Sequence, residues 1–469
     1  MKKIILFELN EVPLKVFDYY LKNHPNSNLA KILIKSRKYE THTADVGLLS
    51  PWITWPTLHR GVSNEKHYIS DFGEDLTEKD KEFPPIWKIL ASNGIQTGLF
   101  GSLHSYPLPT DLNNYKFFIP DTFAAGSECF PNTVDVFQDF NLQMVKESGR
   151  NVSSKLPWGD IFKLLSHFPA LGIKPGTLMD TSSQLISERS SRWKVVRRRT
   201  YQSILAFDVF LKQLTKTRPN FSSFFTNHVA STMHRYWAAS FPDEYEQNEF
   251  SEDWIETYEG EIDFTMGKAD EMIGKLAYFL KNNNDYSLWI VSSMGQEATL
   301  ARTVETQLYV TDREKFMDVF TIPREARHYR PCMLPSFNMQ VNESIRELVR
   351  KKLNDFKVNG VQVVVREKHR GLFSIDFGHV NLADEDTVIQ IEGKGVPFAK
   401  TGLENMEIQD KSGTTAYHIP QGAMYIYEPD FNATSDSNTQ ISVLDIAPSI
   451  LQNYAVDIPS YMNKPVEFS

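Results

Sequence analysis

At 469 residues the chain is too long for one modest core, and a large α/β domain of about 350 residues carrying a smaller inserted one is the natural expectation. Hydrophobic content of 41% and charged content of 23% are those of an ordinary globular protein, and a net charge of −9 argues against a general nucleic-acid binder, whose phosphate contacts need a basic surface. Cys129 and Cys332, far apart and outside any CxxC, point to a reduced compartment without a disulfide framework.

In chain order, the apolar run after Lys2-Lys3 stops at Glu8, short of the roughly 7–15 apolar residues of an export segment. It predicts a buried strand over residues 3–9 and a cytoplasmic chain. No stretch approaches the ~20 apolar residues of a membrane span. A helix pattern covers Leu14 to Leu21. Pro85 to Ala91 reads as a helix stopped by Asn93-Gly94 and followed by a strand from Gln96 to Phe100. Residues 105–200 are irregular, apart from a basic helix over Arg189–Arg199. Its plain reading is a solvated face; its functional reading is a contact for an anionic substrate, a phospholipid surface or an acidic partner.

Buried strands follow at Phe221–Thr226 and Tyr286–Val291, with long helical periodicity from Trp254 to Leu280 between them. Residues 300–400 break the pattern with a charged helix (Glu343 to Asn354) and strand-like runs at Val361–Val365 and Thr387–Ile391. They read as an inserted or capping α+β subdomain, leaving 1–299 and 401–469 as the main α/β domain. A strand at Gly422–Tyr427 and an apolar helix from Val443 to Tyr454 close the chain. The sequence holds no P-loop, no GxGxxG after a strand, no GxSxG elbow and no zinc-finger spacing.

In open α/β sheets, ligands bind beyond the carboxyl ends of the strands. That rule selects Glu8 and Asn10, the stretch Asn227-His228 to His234, Ser292 to Gln296, and His418 ahead of the Gly422 strand. A further candidate is the turn Ser50 to Thr57, which opens a helix with Gly61 beyond it. A hydroxyl at a helix N-terminus faces backbone amides, a setting for binding phosphate or activating a nucleophile.

These segments resemble a known family. Ile53-Thr54-Trp55-Pro56-Thr57 with Gly61 and His67-Tyr68-Ile69 looks like the nucleophile segment of the type I phosphodiesterase and nucleotide pyrophosphatase branch of the alkaline phosphatase superfamily. Ile86 to Leu90 with Asn93-Gly94-Ile95, Asp270-x-x-Ile273-Gly274, His418 to Gly422, and Ser442 to Leu451 resemble further family motifs in the family's order. The resemblance implies an alkaline-phosphatase-like α/β sandwich with a mostly parallel central sheet and an inserted cap. It implies Thr54 as nucleophile. The family's two metal ions would activate that residue.

The ligands implied by the resemblance are mostly replaced. Asn10-Glu11 stands where the family has Asp-Gly, Ala230 and His234 stand for Asp and His, and Ser293-Met294 stand for Asp-His. His234 and His418 survive as metal ligands, so at most one divalent ion, zinc or manganese, is expected. Glu8, Asn10, His228, Ser293 and Gln296 are the candidate substrate-binding residues. Met294 reads as packing.

Three functions fit this pattern. One is a divergent hydrolase or transferase for a phosphate- or sulfate-linked substrate, acting through Thr54. Another is a non-catalytic relative that binds a phosphorylated ligand or a partner protein in the old cleft. The last is a conventional metal-dependent phosphodiesterase with its ligands placed elsewhere. The resemblance suggests a nucleotide-sugar, glycan or lipid-linked phosphate substrate connected with surface-polysaccharide assembly. The plainer alternatives are Thr54 as a helix N-cap and His234 as a hydrogen-bonded core histidine.

Overall fold

The computed structural model describes residues 1–147, 151–152, 158–332, 334–369, 371–431 and 439–468. It divides into two compact units, the smaller built around Arg302–Gly413. The larger unit is a mixed α/β assembly on an eight-stranded sheet. Across the sheet the strands run Thr439–Ser442, Ser36–His42, Gln421–Tyr427, Tyr286–Val291, Lys3–Leu9, Phe221–Thr226, Thr97–Phe100 and Tyr115–Ile119. All neighbours are parallel except Gln421–Tyr427, which runs against both of its partners.

That one reversal shapes the site. Lys3–Leu9, Phe221–Thr226 and Tyr286–Val291 end on one edge, where the antiparallel strand begins. Residues just after three strands and just before a fourth therefore meet. Side-chain parity sorts the first strand between two cores. Ile5, Phe7 and Leu9 pack into the larger cluster with the helices Arg198–Thr217, His228–Ser240 and Glu261–Lys281. Ile4 and Leu6 face the opposite side, with Pro51–Arg60, Ile86–Ser92 and Ile446–Asn453.

The smaller unit has its own core, including Phe316, Phe337, Phe356 and Phe377. Its two four-stranded sheets divide the expected Val361–Val365 run. Val361–Gln362 pairs in one sheet, and Val364–His369 in the other. The helix expected from Glu343 is a 3-10 turn over Glu343–Ile345 that continues as the α-helix Arg346–Asn354.

The expected basic helix over Arg189–Arg199 is not one helix. One helix ends at Ser190, a 3-10 segment takes Arg192–Arg197, and a new helix starts at Arg198. Arg197 Nε donates to buried Glu261 at 3.0 Å, Arg198 Nε to Glu188 at 2.9 Å, and Arg199 Nη1 to Ser231 Oγ at 3.0 Å. Glu261 and Glu188 are buried and need cations beside them, so these arginines are spent inside the fold rather than on a one-sided basic face. Among the described residues, no helix is long and apolar enough to cross a membrane.

Candidate functional site

Thr54 sits in the first turns of the helix Pro51–Arg60. Ser50 is the N-cap, and it also consumes the amides that the sequence suggested would be available. Ser50 Oγ accepts from Trp52 N–H at 3.3 Å, and its carbonyl accepts from Ile53 and Thr54 N–H at 2.9 and 3.0 Å. Pro51 has no N–H, so this helix end offers no ready anion cradle. Pro56 inside the helix removes the usual bond to the Trp52 carbonyl, and His104 Nε2 donates to that oxygen at 3.0 Å instead. Gly61 closes the helix in the left-handed conformation. The Thr54 hydroxyl is fully buried and lies 2.8 Å from Ser293 Oγ, just past the Tyr286–Val291 strand.

The second part of the site centres on Glu11, which the strand-end rule passed over. Its backbone has φ 61°, the left-handed region that glycine adopts without strain. A glutamate held there costs roughly 1–3 kcal/mol, a strain that clusters at functional positions. The conformation turns its carboxylate onto two histidines. Oε2 lies 2.9 Å from His234 Nε2 and 3.3 Å from His418 Nε2. Each ring is fixed from behind, since His234 Nδ1 donates to the Ala416 carbonyl and His418 Nδ1 to the Leu49 carbonyl, both at 2.8 Å. The short strands Gly295–Ala298 and Ala416–Ile419 pair with Gln296 opposite His418, and Gln296 Nε2 donates to Glu11 Oε2.

Asn10 ties the two parts together. Its Nδ2 donates to Glu11 Oε1 at 2.8 Å and to Asn227 Oδ1 at 2.7 Å, while its Oδ1 accepts from Trp55 Nε1 at 2.7 Å. Trp55 adjoins Thr54, so the hydroxyl-bearing helix is linked through one carboxamide to the histidine cluster. Asn227 is exposed and His234 is half-buried, so the cluster is approached from that side, whereas Thr54 is sealed.

Burial opposes ionisation of Glu11, yet the charges of His418 and His234 and the hydrogen bonds from both outweigh it. The carboxyl is held well below the usual carboxylate range. Burial lowers His418 most, but the Glu11 charge together with the hydrogen bonds to Glu11 and the Leu49 carbonyl outweighs it, so His418 titrates above an ordinary histidine.

Two sequence candidates lie elsewhere. Glu8 follows the parity of Ile4 and Leu6 and points away from the cluster, where its Oε1 accepts from His59 Nε2 at 2.9 Å. His228 Nδ1 lies 2.7 Å from Thr226 Oγ1 and its Nε2 lies 3.2 Å from the Thr265 carbonyl. Its burial pushes its pKa down to about 4. It is a core histidine at a helix start, not a member of the cluster. Met294 is fully buried packing.

Glu11, His234 and His418 present one carboxylate and two imidazole nitrogens within 4.8 Å of one another, the one group of this kind among the described residues. One anionic oxygen and two Nε2 atoms, with each Nδ1 anchored on a carbonyl, is the arrangement in which histidines hold a zinc-like ion. Asn10, Thr54 and Ser293 bring no negative charge, and their polar atoms are already engaged with Trp55, Asn227 and one another.

No family model and no curated protein matches the chain. Among solved structures, murine ectonucleotide pyrophosphatase/phosphodiesterase 5 aligns over 99% of this chain and 97% of its own, at 11% identity and a TM-score of 0.45. Its human counterpart aligns over the same shares at 12% identity and a TM-score of 0.42. Phosphonoacetate hydrolase from Sinorhizobium meliloti, in complex with phosphonoformate, aligns over 95% of this chain and 94% of its own, at 10% identity and a TM-score of 0.41. The chain's resemblance to these structures is distant.

Proposed function

We propose that this chain is a hydrolase or transferase acting on a phosphate or sulfate ester, with one divalent ion held by Glu11, His234 and His418 and with Thr54 as nucleophile. The observation that carries the reading is the convergence of both histidine Nε2 atoms on Glu11 Oε2, hydrogen-bonded through Asn10 to the helix that bears Thr54. A bound zinc or manganese ion would supply the positive charge that polarises a phosphoryl or sulfuryl oxygen. Thr54 Oγ1 would attack the phosphorus or sulfur as that atom's bond to the ester oxygen breaks, the ester oxygen leaving as the alcohol with the proton that Thr54 gives up. Ser293 Oγ orients the Thr54 hydroxyl. Because that hydroxyl is sealed against Ser293, a substrate reaches it only by displacing the contact. A glycan-linked ester in a cytoplasmic pathway is the substrate we favour.

The complete burial of Thr54 also favours a second reading, a non-catalytic relative that binds a phosphorylated ligand at the half-exposed histidine side. Release of 4-nitrophenolate from nitrophenyl phosphates and sulfates separates the two. Turnover lost in both Thr54→Ala and His234→Ala supports the enzyme. Turnover unchanged in Thr54→Ala removes the nucleophile, and ester binding without any turnover favours the second reading.

A further inference from the structure

Gln296 is fully buried and lies directly opposite His418 in the short ladder. Its Nε2 donates to Glu11 Oε2, the oxygen that both imidazoles face, and to the Ala230 carbonyl at 3.2 Å, one helical turn before His234. The chemistry fixes the orientation of this amide, because Oε1 turned towards Glu11 would set two acceptors against each other. Oε1 therefore points away from Glu11 while remaining beside the cluster. Among the described residues it has no donor. A buried acceptor left unmet forfeits the hydration it had in the unfolded chain, and such an oxygen beside a ligand set calls for a donor from a ligand.

We propose that Gln296 is the positioning residue of the Glu11–His234–His418 site, holding the Glu11 carboxylate through Nε2 and accepting through Oε1 a hydrogen bond from a protonated oxygen, water or an alcohol, bound with the ion. The inference rests on the metal reading above. It adds a preference in ligand chemistry. A carbonyl oxygen repels a fully deprotonated phosphoryl oxygen and favours an O–H group, so the group that Oε1 would meet is water or a substrate hydroxyl.

The test is Co²⁺ binding to the full chain stripped of metal, read by visible absorption and by competition with a chelating dye. Gln296→Leu and Gln296→Met both remove donor and acceptor at similar volume, and Met serves if Leu lowers the melting temperature of the metal-free protein. The expected result is Co²⁺ bound about 10–100-fold more weakly than in the parent, with an altered visible band. Affinity within about twofold of the parent, with the same band, would reduce Gln296 to a space filler and overturn the proposal. A parent protein that binds no Co²⁺ would remove the metal reading and this inference with it.

Discussion

Thr54 Oγ1 lies 2.8 Å from Ser293 Oγ, and both side chains are closed off from solvent. A hydroxyl pair of this kind can share one proton in either direction, and among the described residues no acidic or basic group hydrogen-bonds to Thr54 Oγ1. Thr54→Ala should lower turnover of a nitrophenyl ester by about a thousandfold or more. It should cost only about 1–2 kcal/mol of stability, from the lost hydrogen bond and the unmet Ser293. Thr54→Ser should keep measurable turnover. Comparing rates with melting temperatures for the two variants separates chemistry from folding.

Asn10 donates to Glu11 where a carboxylate would repel it. Asn10→Asp should therefore destabilise the metal-free protein by about 2 kcal/mol or more, since Glu11 loses a donor and gains a like charge. Added Zn²⁺ should raise the melting temperature of Asn10→Asp more than that of the parent, because the new carboxylate meets the ion's charge. Equal Zn²⁺ shifts would show that Asn10 lies outside the ion's reach.

Glu8 and His59 are a buried pair with Glu8 Oε2 and His59 Nδ1 unpartnered among the described residues. Glu8→Leu alone should cost about 3 kcal/mol by stranding His59, and the double substitution with His59→Leu should cost less than the two singles summed. Urea unfolding of the four proteins gives the coupling. Ester turnover below the melting range should stay near the parent's in Glu8→Leu, since Glu8 faces away from the cluster.

His228 stays neutral in the fold down to about pH 4 because burial penalises its charged form. In the unfolded chain it protonates near the ordinary histidine value of about 6.5. Between those values the unfolded state binds more protons, so stability falls as the pH drops through the window. The contribution is on the order of 3 kcal/mol by pH 4 and absent above pH 7. His228→Gln should show a shallower loss of stability than the parent across pH 6.5 to 4, by about one proton in the slope, measured by denaturant unfolding at each pH. Parallel slopes would contradict a buried neutral histidine here.

Much of the fold was legible because its central strands are short apolar runs that nothing else explains. The runs at residues 3–9, 221–226 and 286–291 emerge as neighbours in one sheet, whereas the helix expected to open from the Ser50–Thr57 turn already begins at Pro51, with Ser50 rather than Thr54 as its N-cap. Two of the three cluster residues were legible too, since the stretch from Asn227 to His234 follows one buried strand and His418 precedes another. Glu11 was missed because its role depends on a positive φ, which no sequence pattern announces for a glutamate. Its presence where the resembled family carries glycine was the available signal. Glu8 was misplaced because proximity to a strand end was weighed without parity, which sends it to the face of Ile4 and Leu6. The basic run misled because helical spacing conceals the break at Ser191, and the acidic partners Glu188 and Glu261 are revealed only by packing.

The most direct test is metal content per chain after exhaustive dialysis, by elemental analysis of the parent, Thr54→Ala, Glu11→Gln and His418→Ala. One divalent ion per chain is expected in the parent and in Thr54→Ala, with loss in both ligand variants. Two ions per chain in the parent, none, or a full complement in Glu11→Gln would contradict a single site built on Glu11, His234 and His418.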